Sequence, residues 1–400
     1  MTVSTADTST RLPPVWILAL AVSSANMGMA LLSPAIPSMR TYFMASADTV
    51  QLVISVFLIA VGVGQLIAGT LSDRFGRRPV LLIGAATFAI SGIAALFASS
   101  IESLVALRLF QGVGAACCMA MGRVIINDSF VGTEAGRQMA TITMIQTIVP
   151  IMGFAFGGFI ADSVGWQGSI AIMAISASLT FGAAFTLLGE TKSDRASSVA
   201  IGAVSRAYLS LIRNRLFVAN AVNSAMIVGA FFTMGGIMPY EYGRYGLTAA
   251  EYGMYFAITS IGYMAGNSIS RHFAPKFGLD RTAFFGAVGG AISVTAMFVV
   301  DFADPSSPVP LTACCFMFGV TNGLTVANSM VGAIKAAGPN SGSATGLVGG
   351  MQMLSGAVFG SVAIALGADL EFMNAAIVLI GMSVVSALAA YHALDPKNGG

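Results

Sequence analysis

Arg108 is the one basic residue of this chain placed inside a long apolar run. Gln111, three residues on, shares its face of any helix formed there. Arg108 lies roughly 8 Å inside the outer end of that run at 1.5 Å per residue. A charge in hydrocarbon is costly and by default functional. This guanidinium can hold an outer gate, contact a ligand or tune a nearby proton carrier. Equally, it can be a structural cation bonded to helix carbonyls and Gln111.

Other polar side chains fall at mid-run depth. Asn26, Gln146, Asn322 and Gln352 are central in their runs, and Asn223 lies in another, with Phe231 beyond it. Tyr255 and Tyr263 share one more. An amide in hydrocarbon must find partners, so these residues are expected to face a protein interior. There they can line a mostly apolar pocket with a few hydrogen-bonding points, suited to a small neutral or zwitterionic ligand. The competing reading is glue between helices.

The stretch GTLSDRFGRRPVLL, residues 69–82, concentrates charge in a chain that is only 9% charged. Gly69 and Gly76 permit close approach or a sharp bend. Asp73 can pair with a base or cap a helix, and Arg77 and Arg78 suit carboxylates or helix C-termini. Such a turn can latch two helix ends together, or serve only as a tight turn and topology signal. The acids are placed at the ends of the runs or in loops: Glu102, Asp162, Glu241 and Asp369 on one side, Asp73, Asp128 and Glu190 on the other.

The elements that must position these residues follow from composition. The chain has 400 residues, 56% of them hydrophobic, and a net charge of +2. A soluble core of this size does not hide so much apolar surface, and charged residues usually make up about a quarter of a soluble protein. A bilayer does, and nothing in the charge suggests nucleic acid. Twelve runs are long enough to span, about 20 residues each, from 15–37 to 373–393. The polar stretch 189–215 divides them six and six. The expected organisation is a tail (1–14), a first bundle (15–188), a linker (189–215), a second bundle (216–393) and a short tail (394–400). All Lys and Arg except Arg40, Arg244 and Arg108 fall on one side, which the positive-inside rule makes cytoplasmic, with both termini. Arg123 is counted among these cytoplasmic bases. A constant shift lays Gly69 on Gly266, Arg74 on Arg271 and Cys117-Cys118 on Cys314-Cys315, suggesting a duplicated unit. The four cysteines read as small apolar helix residues, neither redox pair nor metal ligands.

Gly69, Leu71, Asp73, Arg74, Gly76, Arg77, Arg78 and Leu82 match the loop signature of the major facilitator superfamily, after the second span, where that family carries it. LRLFQGVGAA at 107–116 is similar to the span-four signature of proton-coupled members at Arg108, Gln111, Gly112 and Gly114. VPIMGFAFGG at 149–158 resembles the antiporter signature at Pro150 and Gly153, with Val149 and Phe154 replacing its flanking glycines. With SPAIPSM at 33–39 and RVIINDSF at 123–130, the chain most resembles the twelve-span drug/proton antiporters of the bicyclomycin and chloramphenicol resistance group. The resemblance implies an all-α polytopic membrane protein of two pseudo-symmetric six-helix bundles in a bacterial inner membrane. It also implies a monomer that exports small amphipathic molecules by alternating access against proton entry, without cofactor or metal. Gly69, Asp73, Arg74, Gly76, Arg77, Arg78, Asp128, Pro150 and Gly153 become the expected gating set. Many such antiporters carry a membrane-embedded carboxylate in span one or four, which this sequence lacks at NMGMALLSPAIP. A transporter of an organic anion using Arg108 is therefore the alternative, and a non-transporting membrane sensor is the alternative of another class. No HExxH, GxSxG or Walker loop supports an enzyme.

Overall fold

The computed structural model describes residues 12–192, 201–304 and 306–394, with backbone only for 201–204. Residues 1–11 and 395–400, with Arg11 and Lys397, lie outside this range, as do Asp194 and Arg195 of the linker. Among the described residues every regular element is a helix, as a bilayer demands of a backbone that must satisfy its own hydrogen bonds.

The first span is broken. Helix α1 (Val15–Ala30) gives way to a 3₁₀ turn, Ser33–Ala35, before α2 (Ile36–Phe43), because Pro34 and Pro37 interrupt the regular bonding. Then follow α3 (Ala47–Phe75), α4 (Arg77–Ala95), α5 (Ile101–Ser129), α6 (Gly132–Ser163) and α7 (Trp166–Leu187). A linker helix, α8 (Ile201–Arg213), precedes α9 (Arg215–Arg244), α10 (Ala249–Phe277), α11 (Leu279–Ala303), α12 (Pro308–Ala337), α13 (Ser341–Ala365) and α14 (Ala376–Ala393). Among the described residues ten segments are long and apolar enough to cross a membrane. One of them, Pro308–Ala365, folds as two helices, and α10, with three Tyr and three Ser, is the further crossing. The total is twelve, in two six-helix bundles.

Each bundle has its own apolar core. The second borrows Ala30, Ala47 and Phe154 from the first. Between bundles, α3 packs on α13 and α6 on α10. The end carrying Arg77, Asp128, Arg137 and Lys192 is called the basic end below; the opposite end carries Arg40, Asp162, Glu251 and Asp369. Helix α8 bridges the bundles at the basic end, where Tyr208 Oη donates to the Leu66 carbonyl and Asn340 Nδ2 donates to Ser210 Oγ.

Several helices outrun the apolar runs that announce them, because a run ends at its first charge while the backbone stays helical. Arg123 and Asp128 lie within α5, and Glu241 lies within α9. The structure also corrects the repeat register. Gly76 and Gly278 occupy matching breaks after the second span of each bundle, with φ of 99° and 85°. Arg271 sits seven residues, almost two turns, before such a break, whereas Arg74 sits only two residues before it. Cys117 lies past the middle of α5 but Cys314 in the second turn of α12. The counterparts are instead Gly112 and Gly319: the first packs on the Phe57 carbonyl of α3, the second on the Thr259 carbonyl of α10. Unequal loops make any single shift drift along the chain.

Candidate substrate site between the bundles

Arg108 is fully enclosed, with 0% exposure. Its Nε donates to the Val53 carbonyl at 3.1 Å, Nη2 to the Gly28 carbonyl at 2.7 Å and Nη1 to Gln111 Oε1 at 3.0 Å. The Phe57 ring covers one face with its centroid 3.9 Å from Cζ. Two helix carbonyls, an amide and a ring face therefore engage the guanidinium. It ties α1, α3 and α5 together and forms no wall of a cleft.

The amides of the second bundle are engaged in the same way. Asn223, also 0% exposed, donates to Ser329 Oγ at 2.7 Å and accepts from Ser386 Oγ at 2.7 Å. Asn322 Nδ2 donates to the Ile227 carbonyl, and Gln352 Nε2 to Ser224 Oγ. Tyr255 opens onto a surface groove between α10 and α12 with Val309 and Met317, which are 59% and 50% exposed.

Asn26 and Gln146 do come together. Asn26 Nδ2 reaches the Gln146 carbonyl at 3.4 Å, and Gln146 Nε2 donates to the Val22 carbonyl at 3.3 Å. Arg123 joins them, its Nη2 donating to Gln146 Oε1 at 3.2 Å. All three are partly exposed. Tyr263 of the other bundle, also partly exposed, lies within electrostatic range of Arg123. Counting Arg123 as a loop base hid this group. The signal available in the sequence was its place six residues before the end of a helical pattern, about 9 Å into the span. Among the described residues no carboxylate joins the group: Asp128, further along α5, is held by Arg77 Nε at 2.8 Å.

Two turns along α6 from Gln146, Phe154 begins an aromatic layer shared by both bundles. Phe154 meets Phe256 edge-on at 4.8 Å, and Phe231 stacks on Phe256 at 5.9 Å. Beyond it the bundles are bolted together. Ser33 Oγ donates to the Gly235 carbonyl at 2.5 Å and lies 2.9 Å from Tyr252 Oη. Ser55 meets Ser361 at 2.8 Å and Arg40 pairs with Asp369 at 3.0 Å. Gly153 admits Ala30 of α1, and Gly158 admits the Ala249 carbonyl of α10. Pro150 lies within α6 between the amide group and this seal. The direct hydrogen bonds and ion pairs between α1–α7 and α9–α14 therefore gather at the end opposite the basic loops.

At the basic end, the charged turn binds its own bundle. Arg77 reaches Asp73 at 2.9 Å, Asp128 at 2.8 Å and the Ser72 hydroxyl. Lys192 also pairs with Asp73, at 2.7 Å. Arg78 Nη2 caps α7 by donating to the Phe185 carbonyl at 2.7 Å, and Arg74 lies over the Phe75 ring. Glu190 Oε1 accepts from the Arg77 backbone N–H at 2.9 Å, capping α4. Gly76 is required twice, by its φ and by the Glu190 carboxylate against it. Gly69 is not: it has helical backbone and open space where a Cβ would project. The latch thus joins α3, α4, α5 and α7 with the segment after α7.

Twelve helices in two bundles, sealed at one end around a shared aromatic layer, define a membrane transporter rather than an enzyme. The profile described as Major Facilitator Superfamily matches residues 18–361 and 221–398, and the chain belongs to that family. It is 23% identical over 359 residues to a bicyclomycin resistance protein homolog of Haemophilus influenzae, covering 88% of each chain. It is 28% identical over 256 residues to a chloramphenicol resistance protein of Pseudomonas aeruginosa, covering 64% of this chain and 60% of that one. A solved D-xylose-proton symporter shares the fold with a TM-score of 0.76 at 17% identity, over 96% of this chain and 99% of the other.

Proposed function

We propose that this protein exports small amphipathic molecules by alternating access, driven by proton entry, from a bacterial inner membrane in which the basic end faces the cytoplasm. The bundles at 15–188 and 216–393 are the rocking units, one chain is the functional unit, and no cofactor is needed. One observation carries the reading: a partly exposed polar group (Asn26, Gln146 and Arg123) lies on the basic-end side of a seal built from both bundles. That is the arrangement of a binding site open to one side and closed to the other. The resistance proteins similar to this chain support export of antibiotics as the direction and cargo. The polar group and Phe231, the partly exposed ring of the aromatic layer, provide hydrogen bonds and apolar area for an amphipathic body.

Energy must come from a gradient, since the chain carries no nucleotide-binding loop. Among the described residues the one buried carboxylate is Glu241 of α9, 3% exposed and paired with Arg244. It is our candidate for the coupling group. The test is drug-dependent proton release from inverted membrane vesicles bearing the full chain, paired with growth of a pump-deficient host on antibiotics. Protection and drug-dependent proton flux are expected together. Protection without proton flux overturns the coupling, and neither phenotype with any compound overturns the exporter.

A further inference from the structure

We propose that Arg123 is the recognition point for an anionic group on the transported molecule, so that the preferred cargo is a small aromatic carboxylate or comparably charged acid. The inference rests on the exporter reading and names the cargo's charge.

The argument begins from two arginines inside one bundle. Arg108 is fully buried and engaged by two carbonyls, an amide and a ring face. Arg123 makes one hydrogen bond among the described residues, from Nη2 to Gln146 Oε1, and is partly exposed. Its remaining N–H groups, in the fixed fork of a guanidinium, stay open to a ligand. Such a fork matches a carboxylate with two parallel hydrogen bonds.

The surroundings favour an anion over a neutral or cationic group. Gln146 holds Arg123 through its oxygen and turns its own amide N–H to the Val22 carbonyl, so it brings no negative charge. Tyr263 of the other bundle stands within electrostatic range, its side chain also bonded by Asn267, and Asn26 offers the amide N–H that it does not give to Gln146. The nearest acid along α5, Asp128, is held by Arg77. The one buried carboxylate among the described residues, Glu241, lies beyond the aromatic layer at the sealed end. Two guanidiniums, Arg108 and Arg123, thus stand in the first bundle's interior with no neutralising side chain beside either among the described residues. Their positive potential attracts an anion, and Phe231, the partly exposed ring of the aromatic layer, offers a contact for its apolar body. Because Arg123 and Tyr263 belong to different bundles, an anion held by both also reports on the distance between them.

The test uses the full chain in lipid nanodiscs with three probes of one shape: 2-naphthoate, 2-naphthamide and 2-naphthamidine. They carry a negative, a neutral and a positive group. Wild type is expected to bind naphthoate about tenfold or more tighter than either of the others, the discrimination of one charge-assisted pair. Arg123→Gln abolishes the preference, and Arg123→Lys keeps part of it. Gln146→Glu, which places a carboxylate beside the guanidinium and neutralises it without removing it, is expected to abolish the naphthoate preference and covers the case of a poorly folding Arg123→Gln. Equal binding of the three probes by wild type, or an undiminished naphthoate preference in Arg123→Gln, overturns the proposal. Naphthoate binding that depends on Arg123 in a chain that moves no compound across proteoliposomes would sustain this site while overturning the exporter. Flux of neutral drugs that is indifferent to Arg123 and to probe charge would do the reverse.

Discussion

The carboxylate of Asp162, at the end of α6, accepts the backbone N–H of Ala250 in the first turn of α10 at 2.8 Å. Its other oxygen accepts from Ala249 at 3.2 Å. A side chain of one bundle therefore caps a helix of the other, adding to the Thr248–Glu251 capping box that α10 carries itself. Opening of the sealed end, which the proposed export cycle requires, would break this bond.

Asp162→Ala should weaken that closed end by about 1 kcal/mol, the usual worth of a helix cap. Spin labels at Val164 and Leu370, both exposed at this end of opposite bundles, would read the change as a larger long-distance population. The experiment needs the four native cysteines replaced. An unchanged distance distribution would assign Asp162 no part in closure.

Arg108→Gln should cost about 3 kcal/mol or more. It leaves the Gly28 carbonyl, in the last turn of α1, without a donor, takes a second partner from the Val53 carbonyl and strips Gln111 of its cation, all in a dry interior. Thermal unfolding in detergent measures this as a lowered midpoint, with transport falling in step with folded protein. A stable variant with transport selectively lost would instead place Arg108 in the transport cycle.

Glu241→Gln keeps shape and removes charge. If Glu241 couples protons, the variant loses proton-driven accumulation but still exchanges labelled for unlabelled substrate across proteoliposomes. Retained accumulation at the wild-type pH dependence would remove Glu241 from the coupling.

Two glycines of one signature should respond oppositely to alanine. Gly76→Ala strains a left-handed backbone by about 1–2 kcal/mol and pushes a methyl into Glu190. Gly69→Ala meets open space within a helix and should be neutral or slightly stabilising. Unfolding midpoints of the two variants side by side decide the matter.

The charged turn illustrates what local sequence can reveal. Arg77, Arg78, Asp73 and Gly76 do there what their chemistry suggests, because their partners sit at neighbouring helix ends and the turn itself sets their geometry. That the latch stays inside one bundle was not legible, since Asp128 and Glu190 are distant in sequence. The amides show the opposite case. Asn26 and Asn223 look alike along the chain, yet one is partly exposed beside Gln146 and the other is enclosed by Ser329 and Ser386. Depth follows from counting residues, but rotation about the helix axis and the identity of the facing helix do not.

From the chain alone came the number of crossings, the two-bundle plan and the family, because bilayer thickness sets a length that an apolar run must reach and the loop signature is contiguous. Tertiary structure decided the register of the repeats, the sealed end and which arginine remains open. Arg108 reads as the functional charge by its depth, but three helices close around it. Arg123 reads as a loop base, yet its helix continues past it and turns it inward. Burial of a single side chain depends on neighbours contributed from far along the sequence, and only packing assembles them.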